Sequence, residues 1–136
     1  MSHNLNISRH MELFDPDKFE LPITIIGAGA TGSWLALSLA KLGITDITVY
    51  DFDVVEEHNI PNQAFALYDI GKSKVNALKT LIADTTHTTI KVKNEKFTNQ
   101  RLSGVVFLMV DSMSARKEIW ENSIKLKPAV KLRSEE

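Results

Sequence analysis

The sequence predicts an α/β fold of the Rossmann type, with a doubly wound, mainly parallel sheet and helices on both faces. Short apolar, β-branched runs alternate with segments that have helical spacing, and such alternation forces parallel pairing through right-handed crossovers. The first apolar run leads directly into the glycine-rich turn Gly27–Gly32 (GAGATG), where a helix opens. We expect one domain over residues 1–136, with a ligand at the carboxyl ends of the strands.

Each element is predicted from its apolar pattern. Runs that end at glycine or aspartate are typical of buried strands, and apolar residues three and four positions apart are typical of helices. The predicted elements are, in order, a short helix at Ile7–Phe14, a strand at Leu21–Ile26, a helix from Thr31 to Leu42, a strand at Ile44–Tyr50, an irregular stretch at Val54–Tyr68, a helix from Asp69 to Ala83, strands at Thr88–Val92 and Val105–Val110, a helix at Ser114–Lys125, and the start of a fifth strand at Pro128–Leu132.

Composition narrows the classes of function. Sixteen basic and 17 acidic residues leave a formal charge of −1, so no strong field attracts nucleic acid or an anionic membrane. Cysteine is absent, which excludes disulfides, cysteine-ligated metal sites and a catalytic thiol on this chain. The N-terminal residues contain no apolar run of signal-peptide length. We expect a cytoplasmic protein that binds neither nucleic acid nor membrane.

The glycine turn predicts a phosphate site. Gly27, Gly29 and Gly32 fill the glycine positions of G-x-G-x-x-G, and backbone N–H groups at the start of a helix bind phosphate oxygens well. Asp51 follows the turn at close to the spacing of about 20 residues that a ribose-binding carboxylate has. The alternative is a packing turn without a ligand. For Asp53 two interpretations stand: it contacts the ligand, or it is a solvated acid of the loop.

The motifs that follow the turn occur in a characteristic order. The run DFDVVEEHNIPNQAFALYDIGKSKV resembles the ubiquitin-activating-type adenylyltransferases, which include bacterial thiamine- and molybdopterin-biosynthesis activators. Their pattern is D-x-D-x-V, S-N-L-x-R-Q, I-G-x-x-K and, later, a strand ending in D-N with an arginine beyond it. The matching residues here are Asp51, Asp53, Val55, His58, Asn59, Ile60, Asn62, Gln63, Ile70, Gly71, Lys74, Asp111, Ser112 and Arg116. The resemblance covers about residues 7–125.

The resemblance implies an enzyme that uses ATP and Mg²⁺ to adenylate the C-terminal carboxylate of a ubiquitin-like or sulfur-carrier protein. It implies catalytic roles for Lys74, Asp111 and Arg9, with Asp111 as the metal ligand. Arg9 would reach into the partner subunit's site of a homodimer. The nucleotide-binding residues that it implies are Gly27, Ala28, Gly29, Ala30, Gly32, Asp51, Asp53, His58, Asn59, Asn62, Lys74, Asp111 and Ser112.

Several of these residues also have ordinary structural interpretations. Lysines are mostly solvated, and this applies to Lys74 as well as to the nearby Lys72. Asp111 is open between a metal ligand and the N-cap of the following helix, for which Ser112 competes. Asn59 is open between a nucleotide contact and a turn residue.

The chain departs from the family pattern at four places. Asn62 stands where the family carries an arginine, a charged clamp that asparagine does not replace. Ala30 replaces a common glycine, Ser112 replaces an asparagine, and the sequence stops at Glu136, so we expect the family's C-terminal half to be missing. Two alternative functions remain: an NAD-dependent oxidoreductase, which the glycine turn and Asp51 fit equally well, and a non-catalytic dimerising relative.

Overall fold

A parallel sheet organises the part of the chain described by the computed structural model, which comprises residues 19–124 and 131–134, with side chains over residues 19–122. Within these residues five strands pair in the order β3-β2-β1-β4-β5, and every pairing is parallel. The strands are β1 (Ile23–Ile26), β2 (Ile47–Asp51), β3 (Lys91–Asn94), β4 (Val105–Leu108) and β5 (Lys131–Ser134). The predicted helix at Ile7–Phe14 lies outside the described residues.

Helices cover both faces of this sheet. They are α1 (Ala30–Lys41), α2 (Lys74–Thr86) and α3 (Met113–Ile119), with single 3₁₀ turns at Glu57–Asn59 and Leu67–Asp69 and a π-helical turn at Trp120–Ile124. Ile25 packs with residues of α1 and α2 in the larger core cluster. Its neighbour Ile26 belongs to a second cluster with Phe97 and Ile119. Successive strand residues therefore supply opposite cores, and the predicted doubly wound α/β fold is confirmed.

Several predicted boundaries are displaced, among them the starts of β2 at Ile47 and of β5 at Lys131, and local interactions explain those of α2 and β3. The helix predicted from Asp69 starts instead at Lys74, because Ser73 is its N-cap and the Ser73 Oγ accepts a hydrogen bond from the Asn76 N–H at 3.3 Å. The strand predicted at Thr88–Val92 starts at Lys91, because His87 ends α2 in the left-handed region, with φ of 63°, and the next residues carry the chain back to the sheet.

The strand order places a crevice at the centre of the sheet. β1 pairs with β2 on one side and with β4 on the other, so the winding direction reverses between β1 and β4. Ligands of open α/β sheets bind outside the carboxyl ends of the strands at such a reversal. Over the described residues, no helix combines the length and apolar character needed to cross a membrane.

Candidate nucleotide-binding site

The three glycines of the turn differ in what a side chain would contact. Gly27 has φ of +109°, and a Cβ there would lie 2.7 Å from the Met109 carbonyl oxygen. A Cβ on Gly32 would collide with the carbonyl oxygen of Gly27. A Cβ on Gly29 would meet only the Nε2 of Gln63, at 3.8 Å. Packing within the protein therefore explains Gly27 and Gly32, whereas Gly29 leaves free space beside the turn.

That space belongs to a cavity of about 340 Å³ at the carboxyl ends of β1, β2 and β4. Its size is in the range of small-molecule binding sites. The lining includes Ile26, Gly27, Gly29, Tyr50, Asp51, Phe52, Asp53, Gln63, Lys74, Glu95, Lys96, Phe97, Met109, Val110, Asp111, Ser112, Ala115, Glu118 and Ile119.

Asp51 braces the glycine turn. Its Oδ2 accepts a hydrogen bond from the Ala28 N–H at 2.7 Å, and its Oδ1 accepts one from the Asp53 N–H at 2.8 Å. The backbone N–H of Gly27 donates to the Tyr50 carbonyl at 2.8 Å. The turn is thus fixed to the end of β2, and both aspartates reach the cavity. Ala28 itself is buried, and its amide hydrogen is already bonded to Asp51.

Lys74 enters the cavity from the first residue of α2. Its backbone N–H donates to the Asp53 carbonyl at 2.9 Å, and the residue is only 7% exposed. Among the described residues no carboxylate forms an ion pair with it. Lys72, by contrast, is an exposed lysine that pairs with Asp69 at 3.6 Å and lies 5.5 Å from the ring centre of Tyr68. Of the two lysines, Lys74 is the one that lines the cavity.

Of the residues after β4, Ser112 caps the next helix, which leaves the side chain of Asp111 without that role. Ser112 is the N-cap of α3, since its Oγ accepts from the Ala115 N–H at 3.2 Å. The cap interpretation is therefore not needed for Asp111, whose exposed side chain lines the cavity. The Arg116 Nε–H donates to the Val110 carbonyl at 2.9 Å and fixes this strand end. Asp111 therefore lies on the cavity wall and is not needed as the helix cap.

A metal site made by the protein alone is absent from the described residues, which contain no cluster of three or more histidine or carboxylate side chains suited to a metal ion. Mg²⁺ commonly binds to one or two carboxylates together with substrate phosphates and water. Asp111 and Asp53 are single carboxylates on the cavity wall. The donor set therefore fits a magnesium ion that arrives with a nucleotide.

The loop that leads into α2 contains three predicted nucleotide contacts, and all three lie outside the cavity lining. His58 is exposed and lies 3.5 Å from Glu56. Asn59 is buried, and its Oδ1 accepts from the Glu56 N–H at 2.8 Å, as the turn interpretation expects. Asn62 is exposed, and its carbonyl accepts from the indole Nε1–H of Trp34 at 2.9 Å. None of His58, Asn59 and Asn62 is among the residues that line the cavity, and neither are Ala28, Ala30 and Gly32.

Sequence reasoning left several cavity residues without a role. Gln63 was matched to the family pattern but received no function, although it lies beside Gly29. Tyr50 and Phe97 form an edge-to-face pair with ring centres 5.0 Å apart. Burial, and then the charge of Glu95, raises the pKa of Tyr50 above its usual 10.0, so its phenol stays neutral at neutral pH. Phe97 lies in an irregular segment, where no local pattern indicates a cavity wall. Arg9 lies outside the described residues.

The fold and the cavity define the chain as a Rossmann-like α/β domain with the geometry of a nucleotide site. Comparison with known proteins makes this specific. The profile of the ThiF family matches residues 6–130, and the chain belongs to that family. The resemblance to activating-type adenylyltransferases is thereby confirmed.

Individual relatives match shorter segments. The chain is 38% identical over 58 residues to the probable adenylyltransferase/sulfurtransferase MoeZ of Mycobacterium tuberculosis. The matched segment covers 42% of this chain and 15% of MoeZ. It is 36% identical over 63 residues to the tRNA threonylcarbamoyladenosine dehydratase of Bacillus subtilis, spanning 46% of this chain and 25% of that protein.

Solved structures agree over nearly the whole chain. The Escherichia coli tRNA N6-threonylcarbamoyladenosine dehydratase TcdA, crystallised with ATP, superposes with a TM-score of 0.81 at 22% identity. The match covers 96% of this chain and 58% of TcdA. The fold is therefore shared, and the present chain spans well under two thirds of these relatives.

Proposed function

We propose that this chain is an ATP-dependent adenylyltransferase that activates the C-terminal carboxylate of a ubiquitin-like or sulfur-carrier protein. One observation carries the proposal: the buried side chain of Lys74 and the open side of Gly29 belong to the same cavity. No carboxylate of the described residues forms an ion pair with Lys74, so its ammonium can pair with an anion that enters the cavity. A triphosphate on the glycine turn provides that anion.

The reaction is a displacement at the α-phosphorus. An oxygen of the substrate carboxylate forms a bond to this phosphorus, the bond to the bridging oxygen of the β-phosphate breaks, and pyrophosphate leaves with the electron pair. Lys74 stabilises the charge that develops on the phosphate oxygens, which a low-dielectric site makes effective. Asp111 would hold a Mg²⁺ ion, which would supply positive charge to the phosphates. The supporting observation is that Ser112 caps α3, so Asp111 is not needed as the cap.

The assembly in this proposal is a homodimer. The family resemblance implies that Arg9 of one protomer completes the site of the other. Such an arrangement matches the common two-fold symmetry of oligomers. Arg9 and the dimer remain predictions.

A tRNA is the second candidate substrate. The observation that favours it is the 36% identity to a tRNA threonylcarbamoyladenosine dehydratase, because the threonyl group in that name carries a carboxylate. The formal charge of −1 argues against a polyanionic partner, so we prefer the carrier protein. Membership in the ThiF family favours adenylyl transfer over the NAD-dependent alternative, and Asn62 is the departure that motivates a non-catalytic relative.

Isotope exchange between pyrophosphate and ATP tests the proposal. We expect exchange that depends on a carrier protein with a free C-terminal carboxylate, and a fall of about 100-fold or more in Lys74→Ala, because a charge that stabilises the transition state is lost. Lys72→Ala is the matched control and should keep full exchange. A tRNA that supports exchange where carrier proteins do not would select the second substrate. No ATP binding at millimolar concentration would contradict the proposal.

A further inference from the structure

Gln63 is the described residue whose hydrogen bonding is incomplete at the cavity. Its Oε1 is buried and has no hydrogen-bond partner among the described residues. Buried polar atoms nearly always have a partner, and an exception at a ligand cavity calls for an explanation. The residue lines the cavity, whereas its exposed neighbour Asn62 does not. The unsatisfied amide is therefore on the ligand side of the loop.

The backbone on both sides of Gln63 is fixed to α1. The indole Nε1–H of Trp34 donates to the Asn62 carbonyl at 2.9 Å, and the Ala64 N–H donates to the Oγ of Ser33 at 3.0 Å. Ser33 is fully buried. The Gln63 N–H donates to the Asn59 carbonyl at 2.9 Å. Ser33 and Trp34, in the first turn of α1, thus fix the backbone on both sides of Gln63.

The carboxamide of Gln63 lies beside Gly29. Its Nε2 is 3.8 Å from the Cβ position of Gly29, and no other described residue beyond the two chain neighbours of Gly29 has an atom within 4 Å of that position. A phosphate that occupies the space beside Gly29 therefore meets the amide of Gln63. The Nε2 of this amide offers two N–H donors for phosphate oxygens, whereas the Oε1 is buried.

We propose that Gln63, and not residue 62, is the nucleotide contact of this loop, and that it binds the phosphates through a neutral amide. The inference rests on the proposed ATP site. The family pattern has a permanently charged arginine next to this position, whereas here Asn62 is exposed and uses its carbonyl to anchor the loop. Ser33 and Trp34 are positioning residues for Gln63.

Calorimetric titration of ATP and of adenosine into three single variants tests the inference. Gln63→Glu keeps the shape and adds a negative charge beside the phosphates, so ATP affinity should fall about tenfold or more while adenosine affinity changes less than twofold. Gln63→Met removes the buried oxygen that lacks a partner; ATP affinity should fall, and the thermal midpoint of the free protein should stay the same or rise. Asn62→Ala is the matched control and should bind ATP like the wild type.

The outcomes separate the inference from the proposed function. If the wild type binds no ATP, the proposed function itself fails. If the wild type binds ATP and both Gln63 variants bind it equally well, or if Asn62→Ala loses as much as they do, the assignment of Gln63 is wrong. A fall in the thermal midpoint of Gln63→Met with unchanged ATP affinity would assign Gln63 a structural role and overturn the inference. Should Gln63→Glu fail to fold, Gln63→Met decides alone.

Discussion

The three glycines of the turn lack side chains for different reasons, some for folding and one for a ligand. Gly27 has a positive φ and Gly32 packs against the Gly27 carbonyl, so both positions exclude a Cβ for reasons inside the protein. Gly29 has φ of −87° and ψ of −141°, and a Cβ built there would come near only the Nε2 of Gln63, at 3.8 Å. We infer that Gly29 is small to allow a ligand to approach.

This difference makes a prediction about alanine substitutions. Gly29→Ala should destabilise the protein far less than Gly32→Ala, because a Cβ at Gly29 meets no close atom, yet a methyl group in the cradle should weaken ATP binding by about tenfold or more. Gly32→Ala should instead unfold the protein or lower its thermal midpoint strongly. Denaturant unfolding and calorimetry on the same samples check both statements. If the Gly29→Ala protein binds ATP like the wild type, no phosphate binds beside Gly29.

Sequence patterns at the residue level predicted Lys74 and Asp111 as site residues, and both line the cavity. They precede or follow regular elements whose ends are determined by nearby residues. Gln63 and Phe97 received no role, because their placement depends on contacts between distant parts of the chain. The indole of Trp34, for example, bonds to a carbonyl 28 positions further along. No pattern within a short window records such a contact.

At the scale of elements, α1 serves both the turn and the loop opposite. Its first residues form the turn, and its Ser33 and Trp34 hold the loop residues on either side of Gln63. The bounds of β1, α1 and β4 lie within two residues of their predicted positions, because their apolar patterns are local. The start of α2 was displaced because the turn at Leu67–Asp69 competes for the residues that would have extended the helix.

Removing the indole N–H of Trp34 breaks one hydrogen bond between α1 and the loop. Trp34→Phe keeps an aromatic ring and removes the indole N–H, so the segment around Gln63 should open more often. We expect amide hydrogen exchange at residues 62–64 to increase and ATP affinity to fall about two- to fivefold, as the loss of one modest hydrogen bond would give. Trp120→Phe, at the chain's other tryptophan, should change neither. Unchanged exchange in Trp34→Phe would mean that the bond does not order the loop.

At the scale of the whole molecule, the strand order gathers residues from distant parts of the chain. β1 lies between β2 and β4, so the turn, the Asp51 end of β2 and the Asp111 end of β4 share one edge. The sequence predicted this architecture because alternating strands and helices leave few right-handed arrangements. Patterns within one chain did not reveal whether a second chain completes the site.

Mixing two inactive variants tests that point. If Arg9 acts on the partner subunit's site, Arg9→Ala and Lys74→Ala should each be inactive alone. Their mixed dimers should contain one site with both residues intact. Co-refolded at equal amounts, the pair should recover about a quarter of wild-type exchange activity, given random two-fold pairing. A mixture as inactive as its parents would place Arg9 in its own subunit's site or outside the chemistry.

The two hydrogen bonds accepted by the carboxylate of Asp51 have a consequence for the energetics of ligand capture. The bond from the Ala28 N–H ties the glycine turn to the end of β2, and the bond from the Asp53 N–H holds the carboxylate in position, so the conformational entropy of the turn is lost during folding. For the proposed nucleotide, little of the intrinsic binding energy would then go into ordering the turn.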